Sequence, residues 1–298
     1  MAQFILLVFV LMAFSTSVSA QSYGSGWYRE LQATYGYRDN IARTYLSDER
    51  SDKVTSLSLG GGYSQKVGSN AQLTLSGYLM YNKHREWDAL DNLGVSVGLN
   101  YIFQPTLSYD APWYIFTFTA TDFTYRESDA REGLILNSEF STNKRISTEA
   151  TAHIGYRHQN MVFIGKSSAQ KRSDAAFDTS SHELFVGLDL LVQQSKYLFV
   201  EYAYRNGDIR STVSGGLRSN EDFDASTIDP VFDGNCTTPC EPGYAYRQEG
   251  NVQLGTIGIT FPLDSVSLDL TANYYSAKGD NDRSYEQWAI KLGFVWNF

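Results

Sequence analysis

Residues 285–298 constrain this chain most. Trp288, Ile290, Leu292, Phe294, Trp296 and Phe298 alternate there with Gln287, Ala289, Lys291, Gly293, Val295 and Asn297. A repeat of two is the side-chain alternation of a β-strand, and no helix keeps six such residues on one face. That face is uniformly large and apolar, whereas the opposite one is mostly small or polar. Aromatic residues crowd the C-terminal end, as expected where a lipid-facing strand reaches headgroup level.

The same alternation recurs through the chain. Leu31, Ala33, Tyr35 and Tyr37 share one face, then Leu57, Leu59 and Tyr63, then Leu73, Leu75, Leu79 and Tyr81. Leu93, Val95, Val97, Leu99, Tyr101 and Phe103 form the next, second in clarity only to the last strand. Residues 113–125 carry aromatics on both faces, a pattern that a β-bulge shifting the register would produce, so the facing there stays open. Leu134, Leu136 and Phe140 follow, then Ala150, Ala152, Ile154 and Tyr156 after a turn at 143–146. Leu184, Val186, Leu188 and Leu190 and then Leu198, Val200, Tyr202 and Tyr204 make two more. The facing of 252–261 is also open, and Val266, Leu268, Leu270, Ala272 and Tyr274 precede the closing strand. About twelve strands result. Their connections alternate between short turns and longer charged loops, the longest at 210–249, and the six prolines are expected outside the ladders.

Residues 4–14 form an unbroken apolar run, and Val18 and Ala20 are the small residues that precede a cleavage site, so residues 1–20 read as a secretory signal peptide. The segment before the run has no Lys or Arg. Residues 21–298 would then form the mature protein. Only 42% of the residues are apolar, and no other run approaches the roughly 18 that a membrane-spanning helix needs. A net charge of −9 argues against nucleic acid, whose backbone is bound by clustered cations.

A closing aromatic strand ending on Phe298, an even strand count and alternating short and long connections resemble bacterial outer-membrane β-barrel proteins. The resemblance implies an all-β fold, a transmembrane antiparallel up-and-down barrel of about twelve strands. It also implies location in the outer membrane, contact with outer-membrane lipid and reading of the C-terminal strand by the barrel assembly machinery. It points to no functional subfamily.

If the apolar parity faces lipid, the other faces the lumen and collects Glu139, Glu149, His153, Arg157, Glu183, Asp189, Glu201, Arg205, Asp269 and Lys291. These read as an acid-biased pore lining or as a charge network filling a narrow interior. Taking each hairpin's midpoint as its register sets Asp189 opposite Glu201 and Asp269 opposite Lys291. His158 and His182 share the outward parity near a rim, as do the histidines of outer-membrane lipid hydrolases. The nearest serine of that parity, Ser180, falls where strand geometry is expected to have stopped, so the pair reads as rim residues meeting headgroups. No catalytic residue, cofactor or metal is assigned. Cys236 and Cys240 stand in the longest loop, and a disulfide is their natural state in an oxidising compartment. Glu221, Asp222, Asp224, Asp229, Asp233 and Glu241 lie around them without the spacing of a calcium loop, as a solvated acidic stretch. The expected function is a narrow channel for small polar solutes or peptides. The alternatives are surface binding or adhesion through the loops, export of a partner protein and, last, lipid hydrolysis.

Overall fold

Every alternating segment becomes a strand paired with the next one in the computed structural model, which describes residues 25–44, 50–128, 131–163, 176–193, 195–213, 225–232, 243–279 and 283–298. The expected signal segment and both cysteines lie outside these residues. The strands are β1 (Gly26–Arg38), β2 (Asp52–Val67), β3 (Ala71–His84), β4 (Asn92–Phe103), β5 (Trp113–Tyr125), β6 (Gly133–Arg145) and β7 (Ala150–Phe163). They continue as β8 (Thr179–Leu191), β9 (Tyr197–Val213), the short β10 (Ala225–Ile228), β11 (Tyr244–Leu263), β12 (Val266–Gly279) and β13 (Ser284–Asn297). Sequential antiparallel pairing runs from β1 to β9, β11 pairs with both β9 and β12, and β13 closes onto β1 with Leu31 opposite Trp296 and Tyr35 opposite Leu292. The ring therefore has twelve strands and no free edge, so every strand of it is paired on both sides.

The strands are staggered as closure requires. One row of paired residues starts at Trp27, near the start of β1, and passes through Tyr63, Leu75, Leu99, Phe118, Ser138, His158, His182, Asn206 and Asn251. It arrives at Lys278, one residue from the end of β12. The row climbs from the end of the barrel that bears the short turns to the end that bears the long loops.

The apolar parity faces outward as expected, and Leu59, Val97, Ile154, Leu184, Ile290 and Leu292 are all exposed on the outer face. The two open facings are resolved. The β4–β5 register runs without interruption from Asn92 opposite Tyr125 to Phe103 opposite Tyr114, so β5 has no bulge. Its second set of aromatics is there because Phe123 and Tyr125 point inward and bury against Met80, Ile135 and Met161. In β11, Ile257 faces out, while Val252 and Leu254 join an interior cluster with Phe185, Ala203, Ile209, Tyr275, Ala277 and Tyr285.

Three boundaries differ from the expected ones. The loop expected at 210–249 is shorter, because β9 runs on to Val213 and β11 starts at Tyr244, each paired residue for residue. Polar residues such as Arg210, Arg247 and Gln248 hid these extensions, since they interrupt the apolar alternation by which the strands were read. The short β10 lies beside β11 from Arg247 to Tyr244, beyond the point where β12 ends at Gly279 opposite Gly250. The turn expected at 143–146 falls at 146–149, with Asn143 still in β6 opposite His153. Pro262 lies within β11 rather than outside a strand, at its second-last position opposite Ser267.

The interior is filled unevenly. Toward the turns, inward residues such as Thr117, Thr119, Asn100, Asp189 and Glu201 remain partly accessible, whereas toward the loops Phe123, Tyr125, Arg205, Tyr275 and Tyr285 are buried. The result is a polar vestibule, partly accessible beside these residues although Ser64, Gln72, Ser141, Thr260 and Ser267 are buried at the same end, and a lumen closed toward the loops.

Candidate functional site in the barrel lumen

The inward parity of β6 to β9 builds one connected charge cluster. Arg157 on β7 is its centre. Its Nε donates to Glu139 Oε2 at 2.6 Å, and its Nη1 donates to Glu183 Oε1 and to Glu201 Oε1, each at 2.8 Å. Its Nη2 reaches Glu201 Oε2 at 3.0 Å, and its Cζ lies 3.7 Å from the centre of the Phe185 ring. Charge-assisted fork geometry of this kind gives the strong class of hydrogen bond and fixes the planar group in place. Four residues closer to the vestibule along β7, His153 stands between two carboxylates, with Nδ1 3.5 Å from Asp189 Oδ2 and Nε2 3.4 Å from Glu201 Oε2. Gly187 makes this position possible, since a Cβ there would lie 2.1 Å from His153 Nε2. Gly155 likewise leaves the space that the Phe185 ring occupies beneath the guanidinium.

Arg205 extends the cluster toward the loop end by donating to Tyr275 Oη at 2.5 Å, and Tyr275 in turn bonds Tyr285 Oη at 3.2 Å. Nearly the whole expected lumen set therefore faces the interior. Glu149 does not: it sits exposed in the turn before β7, where its carbonyl accepts the Leu191 N–H at 2.7 Å. The strand begins one residue later than that assignment required.

The expected pairings are each displaced by two residues. Glu201 lies opposite Gly187, and Asp189 opposite Phe199. Lys291 lies opposite Thr271, and Asp269 opposite Gly293. Counting from loop midpoints fails because the registers centre on positions 194 and 281, each one residue from the expected midpoint, and one residue at the turn moves every pair by two. Asp189 and Glu201 do not oppose each other as bare charges; they share the His153 ring.

Above the cluster, the long connections fold inward into a cap. Residues 39–44 cross from β13 to β9. Asn40 donates to the carbonyls of Thr44 and Glu286, Gln287 Nε2 donates to the Asn40 carbonyl, and the Thr212 N–H donates to the Ala42 carbonyl. Arg43 stands over the Tyr275 ring, 5.0 Å from its centre. Ile41 and Ala42 then pack with Leu90, Val231 and Phe232, which joins the connections after β1, β3 and β10 in one apolar cluster. A buried ion pair ties in a fourth connection. Arg131 Nη2 bonds Asp229 Oδ2, which also accepts from Thr212 Oγ1 at 2.7 Å, and the guanidinium stands over the rings of Phe177 and Phe232. Asp229 is thus a buried structural acid and no part of a solvated stretch; the other acids of that run, save Asp229, lie outside the described residues. A second buried pair, His84 Nδ1 to Asp52 Oδ2 at 2.7 Å, anchors the strand ends beneath the cap. Of these cap residues, sequence reasoning singled out Asp229 alone, and read it as a solvated acid. The one available signal was the density of Arg, Asp and aromatic residues in loops that alternation could not order.

On the outer face, His158 and His182 are directly paired across β7 and β8, with ring centres 4.5 Å apart, and Tyr156 Oη lies 2.5 Å from His182 Nδ1. Ser180 belongs to β8, opposite Asn160, and does not lie in a loop. Its N–H donates to Asp208 Oδ2 at 2.7 Å. Among the described residues the bonds of the two imidazoles are those to Tyr156 Oη and, from His158 Nδ1 at 3.2 Å, to the Ser181 carbonyl.

No protein family matches the chain, and no curated protein matches it. Solved structures do. An outer membrane channel from Pseudomonas putida F1 aligns over 93% of this chain and 98% of its own, with 9% identity and a TM-score of 0.56. The NanC porin aligns over 89% and 98% with 8% identity and a TM-score of 0.47. The translocator domain of the autotransporter NalP from Neisseria meningitidis aligns over 100% and 96% with 12% identity and a TM-score of 0.46. At such identities the likeness concerns architecture. The likeness to the Pseudomonas putida channel, taken with the closed ring and its apolar exterior, gives this chain the fold of the bacterial outer-membrane β-barrels.

Proposed function

We propose that the protein spans the bacterial outer membrane, turns toward the periplasm and loops outward, as a narrow channel for small polar solutes whose outer mouth is closed by its own loops. One observation carries this reading: the inward face of β6 to β9 places Asp189, His153, Glu201 and Arg157 in sequence from an accessible vestibule toward the cap. A barrel serving only as a mount for adhesive loops has no need of a charged inner wall. Short turns on the periplasmic side and long loops outside are the usual asymmetry of such barrels.

Four carboxylates line this wall against two guanidiniums and one imidazole, and rings of acidic side chains favour cations. Purified protein in planar bilayers should therefore conduct in discrete steps and prefer potassium over chloride across a KCl gradient. Replacing Asp189 by Asn and Glu201 by Gln should weaken that preference, and an unchanged reversal potential would remove both residues from the pathway. A bilayer showing no steps at any voltage would count against the channel itself.

The Cys236–Cys240 disulfide is part of the same proposal, as a brace for the outer loop that leaves the barrel alone. A bridge closing so short a loop contributes less than the roughly 3 kcal/mol expected for fifteen residues. The double Cys→Ser variant should assemble normally yet be cut faster by protease added to intact cells. Failure to assemble would place the bridge within the barrel's own framework.

A further inference from the structure

On the outer wall, β7 and β8 set two imidazoles side by side. His158 is paired directly with His182, both face outward, and their ring centres stand 4.5 Å apart. Directly opposed positions are the closest neighbours that an antiparallel pair offers. His182 is exposed and His158 half-buried, so the pair is reached from outside the barrel without any cavity. From this row to the loop end the outward residues of β8, β9 and β11 are polar, namely Ser180, Asn206, Asp208, Asn251 and Glu249. The row next below is Tyr156, Leu184 and Tyr204. The pair thus stands where an apolar wall gives way to a polar one.

Each ring has one nitrogen committed and one left over. His158 Nδ1 lies 3.2 Å from the Ser181 carbonyl, which only accepts, so the proton sits on Nδ1 and the neutral ring keeps its lone pair on Nε2. A backbone carbonyl on Nδ1 is the support that metal-binding histidines commonly have. His182 Nδ1 lies 2.5 Å from Tyr156 Oη, and a phenol accepts as well as donates, so the same tautomer is open to this ring. Neither Nε2 has a hydrogen bond among the described residues. With metal–nitrogen bonds of about 2.0 to 2.1 Å and an angle between square and tetrahedral, two bound imidazoles have ring centres about 4.5 to 5 Å apart. The pair already has that spacing. Its planes are 24° from parallel, and a turn about the Cβ–Cγ bond, a broad torsion in histidine, converges the two lone pairs. No third His, Cys, Asp or Glu joins them among the described residues, which leaves the other positions to water. We propose that His158 and His182 are the two protein ligands of an exchangeable divalent transition-metal ion, of the zinc, copper or nickel class that imidazole suits. Calcium and magnesium, which take oxygen ligands, do not fit the pair. The site requires neither conduction nor the cap, so it stands apart from the channel.

The test is titration with zinc chloride of the full-length protein, prepared without a histidine tag and held in detergent at about pH 8, where an unperturbed imidazole is neutral. One Zn²⁺ should bind per barrel, and excess calcium or magnesium chloride should not displace it. His158→Gln and His182→Gln should each weaken Zn²⁺ binding on the order of tenfold or more, since the ladder holds the second imidazole at a high effective concentration beside the first. With Cu²⁺ as the probe, electron paramagnetic resonance should show two coupled imidazole nitrogens in the parent and one in each variant. The heat-dependent gel shift confirms that each variant is assembled. If a glutamine variant fails to assemble, the copper spectrum of the parent decides alone. No saturable Zn²⁺ binding by the parent, unchanged binding in either variant, or a single coupled nitrogen in the parent would overturn the site. Loss of Zn²⁺ binding in His153→Gln, with both outer variants unaffected, would overturn it by placing the ion in the lumen. A protein that binds Zn²⁺ without conducting refutes the channel and leaves this site, and one that conducts without binding Zn²⁺ does the reverse.

Discussion

Leu292→Arg should sharply reduce the amount of assembled barrel. Leu292 projects from β13 opposite Leu270 and Tyr35, with 55% of its surface exposed on the outer face. In water such exposure would be unremarkable, but in a bilayer it is contact with hydrocarbon. A cation there costs about 2 to 4 kcal/mol near the midplane, a large share of any barrel's margin. The readout is the heat-dependent gel shift, in which the folded, unboiled protein runs apart from the boiled one. If the variant assembles at the parent level, or if the parent shows no shift and needs no detergent, the outward face does not meet lipid.

Asp229→Ala should open the mouth without dismantling the ring. Asp229 is 0% exposed and Arg131 1%, and the carboxylate holds Arg131, Thr212 Oγ1 and the Val231 N–H at once. Removing it strands a guanidinium between Phe177 and Phe232, which in a buried setting costs about 3 to 5 kcal/mol. That cost falls on the cap, because no ladder hydrogen bond of the twelve-stranded ring depends on the Asp229 side chain. The variant should keep its gel shift, conduct more than the parent in planar bilayers, and lose its loops to external protease sooner. Unchanged conductance together with unchanged proteolysis would mean that the Arg131–Asp229 pair does not hold the mouth closed.

The residues read correctly and those read wrongly differ in what constrained them. Alternation on β4 and β13 was legible because their successive outward positions are large and apolar without a break, so each Leu, Val or Trp there reports its facing independently. On β5 and β11 it was not, because Phe123, Tyr125, Val252 and Leu254 satisfy a second, interior apolar environment that closure of the ring creates. The inward charges Glu139, Arg157, Glu201 and Arg205 could be collected by parity alone. Their partners could not, because a shift of two residues keeps every facing and changes every neighbour.

The sequence by itself determined about twelve strands and the outward faces of all but β5 and β11, since a period of two sorts each strand into an apolar and a polar face; closure into an antiparallel barrel followed from the resemblance of that pattern to outer-membrane barrels. Tertiary structure alone decided how the interior is used. Register, set by turn geometry and ring stagger, placed His153 between Asp189 and Glu201 rather than setting those acids face to face. The cap was decided the same way. Residues 39–44, Arg131 and Asp229 lie far apart in the chain and carry no periodic signal, and only closure of the ring brings their loops over a common mouth where their charges and apolar groups can bury one another.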